Sequence, residues 1–155
     1  MVVVAEALQL LVSLVSETSF VSSEHASKKY VPLGSVDGTV FKVDTSGNET
    51  VLHSFTNVPD GAQPYARLVM DKEGNLYGTT ASGGIFGYGT VFKLDTTGTE
   101  IVLHSFSVAD GTGPLAGLVR DLKGNLYGTA SSGAFGYGTV FKLTPSGTYD
   151  VLLRL

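Results

Sequence analysis

Apolar residues along this chain come in short runs of about five, and the same run keeps returning. Gly38-Thr39-Val40-Phe41-Lys42 reappears as Gly89-Thr90-Val91-Phe92-Lys93 and again as Gly138-Thr139-Val140-Phe141-Lys142, at spacings of 51 and 49 residues (38 to 89, then 89 to 138). Each run leads into a polar turn ending on glycine: Asp44-Thr45-Ser46-Gly47, Asp95-Thr96-Thr97-Gly98 and Thr144-Pro145-Ser146-Gly147. A second apolar run follows each turn, so the unit predicts a β-hairpin. The closing glycine supplies the φ > 0 residue of a type I turn with a bulge, and Pro145 stands where such a turn accepts proline.

A further hairpin precedes this one in the later copies. Residues 66–70 and 76–80 flank the turn Asp71-Lys72-Glu73-Gly74-Asn75, and 116–120 and 126–130 flank Asp121-Leu122-Lys123-Gly124-Asn125. Four short strands, A to D, in a repeat near fifty residues predict an all-β, propeller-like fold built of four-stranded antiparallel blades. In the last strand of the repeat Ile101 and Leu103 point one way while Val102 and Phe106 point the other. A sheet apolar on both faces has to sit between two others.

The repeat region, 35–155, thus reads as strands C and D of one blade (38–55), a full blade (66–106) and another full blade (116–155), about two and a half in all. Rings need about 4 to 8 blades. The expected partners are therefore further copies of the chain or a longer propeller, with the leader offering the first blade's missing strands through Lys29-Tyr30-Val31-Pro32-Leu33.

That leader, residues 1–34, is a separate non-repeat segment. On a helix, Val4, Leu8, Leu11 and Val15 fall on one face and suit docking against the sheet core, while the apolar run at 7–15 also suits a secretory signal. Against the signal stands Glu6, placed where a basic residue belongs. The run is too short for a transmembrane segment, which needs about 20 apolar residues.

Composition narrows the functions. A net charge of −4, with ten Lys and Arg scattered singly, argues against nucleic acid as a partner. Without cysteine, thiol chemistry and Cys-type zinc sites are excluded. Neither a catalytic signature nor a cofactor or metal motif stands out: Gly87-Tyr88-Gly89-Thr90 has no Gly-Lys-Ser/Thr closure, and Asp71 with Asn75 and Asp121 with Asn125 lack the alternating acidic ligands of a calcium loop.

The phrase LVRDLKGNLYGTASSGAFGYGTVFKL, residues 118–143, resembles the GloVer-type tandem repeat, and its strand order is similar to that of NHL-type propeller blades. The resemblance spans 34–155. It implies a propeller fold and an extracellular or cell-surface location, and it implies no particular reaction.

In such a meander the B-to-C and D-to-A connections share one end. They are the long ones, which marks that face for binding. Its candidate ligand-binding residues are Asp60, Gln63 and Tyr88 in one copy, with Asp110 and Tyr137 in the next. Asp60-Gly61 and Asp110-Gly111 also suit loop-forming turns, and Tyr88 and Tyr137 suit wedges between blades. His53 and His104 hold a place where the third copy has Leu153, which reads as packing, and His25 lies alone in the leader. The chain reads as a non-catalytic scaffold presenting its loop face to a glycan, peptide or protein. The alternatives are a propeller enzyme needing a metal or quinone and further blades, or a truncated repeat without its own function.

Overall fold

The computed structural model describes residues 18–23, 37–132 and 137–155, and all the regular structure among them is β. The first sheet runs β1 (Thr18–Ser23), β2 (Thr39–Asp44), β3 (Glu49–Ser54). The second is β4 (Val69–Met70), β5 (Leu76–Thr80), β6 (Thr90–Leu94), β7 (Glu100–Ser105), and the third is β8 (Val119–Arg120), β9 (Leu126–Ala130), β10 (Thr139–Leu143), β11 (Tyr149–Arg154). Every neighbouring pair is antiparallel.

One strand was not expected. The repeat pattern gives the first copy two strands, yet β1 pairs along β2 from Thr18↔Asp44 to Ser23↔Thr39, the register that β5 keeps on β6 from Leu76↔Leu94 to Thr80↔Thr90. The leader thus does contribute to the first sheet, but through 18–23. Serine and threonine sit as readily on a strand as in a linker, and the Ser-rich flanks hid Phe20-Val21. The proposed strand at 29–33 and the helical face at 4–15 lie outside the described residues.

The expected turns are in place. Gly47, Gly98 and Gly147 have φ of +83°, +88° and +86°, each closing a turn whose first residue accepts its N–H at 2.9–3.0 Å. In the β4–β5 turn Asp71 caps the backbone: its carboxylate accepts from Glu73 N (3.1 Å), Asn75 N (2.8 Å), Asn75 Nδ2 (2.8 Å) and the Tyr77 hydroxyl (2.9 Å). Asp121 repeats the pattern with Lys123, Asn125 and Tyr127.

The sheets stack face to face, as their two-sided apolar pattern requires. Val40, Phe55, Leu76, Phe92 and Leu94 form the buried core between the first and second, and Val91, Phe106, Leu118, Leu126, Ala130, Phe141 and Leu143 the core between the second and third. At the centre of each, the phenylalanine after one sheet's last strand meets the phenylalanine of the next sheet's third strand edge-on: Phe55–Phe92 at 5.1 Å and Phe106–Phe141 at 5.3 Å between ring centroids. Glycine opposite each ring makes room, since a Cβ on Gly78 would lie 2.6 Å from Leu68 Cδ2 and 2.7 Å from Phe92 Cζ.

Each last strand carries a β-bulge at the same place: Val91 faces His104 while the adjacent Phe92 faces Val102, which leaves Leu103 as the extra residue. Leu52 and Leu152 occupy the same place in the other sheets. The bulge also corrects the expected alternation: Phe106 lies with Leu103 in the core towards the third sheet, not on the side of Val102, which pairs with Phe92 of the other core.

Two substitutions test this packing. Gly78→Ala should lower stability by about 1–3 kcal/mol through overpacking against Phe92, and Gly98→Val by at least about 1 kcal/mol, since a β-branched residue tolerates φ > 0 poorly. Urea unfolding measures both, and an unshifted midpoint for either would contradict the contact it probes.

Candidate functional site

The long loops do share one end of the stack, and they are bonded to one another. The loop after β3 meets the β5–β6 loop through Ala62 N to Ser82 O (2.8 Å), Ser82 N to Ala62 O (3.1 Å), Ala81 N to Gln63 O (3.0 Å) and Gly84 N to Asn57 O (2.8 Å). One sheet on, Thr112 N donates to Ser132 O at 2.6 Å and Gly113 N to Tyr88 O at 3.0 Å. Buried threonines tie the same loops to the strands, with Thr90 Oγ1 donating to the Asp60 carbonyl and Thr139 Oγ1 to that of Asp110, both at 3.1 Å.

The candidate residues on these loops divide into two groups. Asp60 is buried, and its carboxylate accepts from Thr56 N (3.1 Å) and Thr56 Oγ1 (2.9 Å), closing its own loop. Asp110 does the same with Ser107 N (3.2 Å) and Ser107 Oγ (2.9 Å). Gln63, in the left-handed region at φ 62°, accepts from Ser82 Oγ at 3.0 Å. These three shape the platform. Tyr88, with a described sheet on either side, is still 41% exposed and so is not a buried wedge, while Tyr137, 67% exposed, belongs to the outermost described sheet, with no further sheet for it to wedge against. The backbone explains why: glycines at φ +82° (Gly87) and +98° (Gly89) turn the chain on either side of Tyr88, whose carbonyl is held by Gly113.

The histidines pack, as expected, but each also meets a loop carboxylate. His53 Nε2 lies 3.1 Å from Asp60 Oδ2 and His104 Nε2 lies 3.4 Å from Asp110 Oδ2. Their rings stand edge-on to Phe55 and Phe106, and His104 also stacks on Tyr149 at 3.9 Å. Burial holds His104 below its ordinary pKa of 6.5 against the pull of Asp110, so the ring is neutral near pH 7. The signal was available in the spacing, because both copies with histidine carry an aspartate in the loop that follows.

Beside this platform a pocket of about 680 Å³ runs along β7, from Glu100 through Val102, Leu103 and His104 to Ser105. Pro59, Ile85, Phe86 and Asp110 complete its wall, with Ile85 and Phe86 63% and 56% exposed. Glu100 was not among the candidates. Its Oε1 is buried without a hydrogen-bond partner among the described residues, and burial, with the nearby Asp60 charge, pushes its pKa up to about 7. Among the described residues no three His, Asp or Glu side chains group as a metal site would need, and no helix is long and apolar enough to cross a membrane.

The family model of the Gloeobacter/Verrucomicrobia repeat matches residues 32–155, which takes in the second and third sheets whole and β2 and β3 of the first. No curated protein matches the chain.

Glu100 supplies a pH test. Its folded pKa lies above its ordinary 4.5, so the folded state holds this proton more tightly and the residue costs stability as pH rises from about 4.5 through about 7. Glu100→Gln should therefore raise the Tm at about pH 8, with the gain shrinking towards about pH 5. An equal or opposite effect at the two pH values would place Glu100 in solvent.

Proposed function

The chain belongs to the Gloeobacter/Verrucomicrobia repeat family, and from that premise we propose that it is a non-catalytic, propeller-type repeat module acting at or outside the cell surface, whose loop face binds a glycan, peptide or protein. One observation carries this reading: loops of adjacent sheets are hydrogen-bonded into a single platform that shows aromatic rings to solvent. A rigid platform loses little entropy when a ligand settles on it. Exposed rings offer flat apolar area with edges that suit sugar faces and peptide side chains. Phe86, Tyr88 and Tyr137 are the rings so placed.

The same module has further repeats or further copies as neighbours. On the third sheet Val119, Leu152 and Leu155 are 67%, 53% and 66% exposed, whereas their second-sheet counterparts Val69, Leu103 and Phe106 pack into the core between sheets. On the first sheet Thr39 Oγ1 is buried with no hydrogen-bond partner among the described residues, at the position where Thr90 and Thr139 donate to a loop carbonyl of the preceding sheet. Each open side is thus shaped for another blade of the same kind.

Two measurements test these statements. Screened on glycan and peptide arrays, the protein should bind a defined subset, and Phe86→Ala with Tyr88→Ala should weaken that binding by about tenfold or more at unchanged Tm; binding indifferent to both would remove the platform from the reading. Light scattering behind size exclusion should give a discrete oligomer of this chain. A stable monomer would mean that the open faces are not covered by copies of it.

A further inference from the structure

The two contacts between sheets are built from the same strand positions, and they differ at one shoulder. Between the second and third sheets, Tyr149 of β11 lays its ring on His104 and donates its hydroxyl to the Asp110 carbonyl at 3.2 Å, while Arg154 Nη1 donates to the Ala109 carbonyl at 2.9 Å. The chain itself fills that shoulder. Between the first and second sheets the equivalent β7 positions are Glu100, opposite Leu94 as Tyr149 is opposite Leu143, and Ser105, opposite Thr90 as Arg154 is opposite Thr139. Pro59 takes the place of Ala109. An aromatic ring and a guanidinium are replaced by two smaller groups, and all three of Glu100, Ser105 and Pro59 line the open pocket.

From this difference we propose that the pocket beside β7 binds an organic cation, a guanidinium as on an arginine side chain, which occupies the place that Arg154 fills one sheet on and pairs with the Glu100 carboxylate. The proposal rests on the reading of the loop face as a binding surface and names the chemistry it takes. Three features converge on a cation. Glu100 Oε1 is buried and has no partner among the described residues, an arrangement that is costly for a carboxylate until a donor arrives. Asp60 at the same shoulder adds negative charge, shared with His53 at 3.1 Å, and Asp110 adds more on the pocket wall. Phe86 offers an exposed ring at the mouth for a planar cation to lie on. A neutral sugar would satisfy none of these as fully, since a guanidinium brings two parallel donors to a carboxylate.

Binding should favour ionised Glu100. Affinity is then weak at about pH 6, rises through about 7 and levels off above it; protonation of His104 on the acid side acts in the same direction.

The test is isothermal titration of the whole chain with Nα-acetyl-arginine amide and with its uncharged isostere Nα-acetyl-citrulline amide. The arginine derivative should bind, and the citrulline one should bind at least about tenfold more weakly. Glu100→Gln should cost the arginine derivative about tenfold or more and leave the citrulline derivative unchanged. Glu100→Tyr with Ser105→Arg, which copies the filled shoulder, should abolish binding and raise the Tm. Equal binding of the two derivatives, or arginine binding that survives either variant in a folded protein, would overturn the proposal. No arginine binding in a protein that still recognises its array ligands would overturn this inference alone; loss of both would overturn the loop-face reading as well.

Discussion

The structure depends on an edge-on meeting of two phenylalanine rings across every sheet-to-sheet contact, Phe55 on Phe92 and Phe106 on Phe141. Such a pair is worth about 0.5–1.5 kcal/mol beyond the area it buries, and these four rings are buried almost completely. The pair explains the glycine opposite each ring, the spacing of the repeat and the two-sided apolar character of each sheet. A single sheet would expose one ring of each pair to water. Stability is therefore shared between neighbours, as in other stacked repeats, and belongs to no sheet alone.

What the core makes uniform, the loop end makes individual. The same threonine-to-carbonyl bonds and the same aspartate-capped loops recur from one sheet to the next. The side chains at the two ends of the last strand do not recur from the second sheet to the third. Tyr149 and Arg154 close one shoulder and Glu100 and Ser105 leave the other open, at no cost to the pairing of the strands that carry them. Chemistry can vary from copy to copy on an unchanged frame.

Much of this frame was legible in the chain. Repeated Gly-Thr-Val-Phe-Lys runs with glycine-closed turns located β2, β3, β6, β7, β10 and β11, because hairpin turns demand particular residues and leave little choice. The sharing of one end by the long loops followed from antiparallel order alone. The first strand escaped notice because six residues, four of them Ser or Thr, carry almost no period of their own and are recognised only by their partner β2. Tyr88 and Tyr137 recur with the repeat, and recurrence suits a wedge and a displayed ring alike, so the sequence leaves both roles open. Glu100 was missed for a different reason: beside an exposed turn a glutamate looks solvated, and its burial is created by the neighbouring sheet, which local sequence does not describe. A comparison of Glu49, Glu100 and Tyr149 along the repeat would have singled it out.

The bulge at Leu103 decides what β7 can do for both of its neighbours. Side chains on a strand alternate strictly, and an unbroken β7 would turn Glu100, Val102 and His104 to the same side. One inserted residue resets that alternation midway, so the strand speaks to the first sheet with Glu100, Val102 and Ser105 and to the third with His104. It works like a frameshift written into the backbone: removing one residue would leave the hairpin closed and the length nearly the same, but would exchange the addresses of every side chain beyond it. Because Leu52 and Leu152 stand at the same point in the other sheets, the reading frame of the repeat is kept by a residue that pairs with nothing on its own ladder.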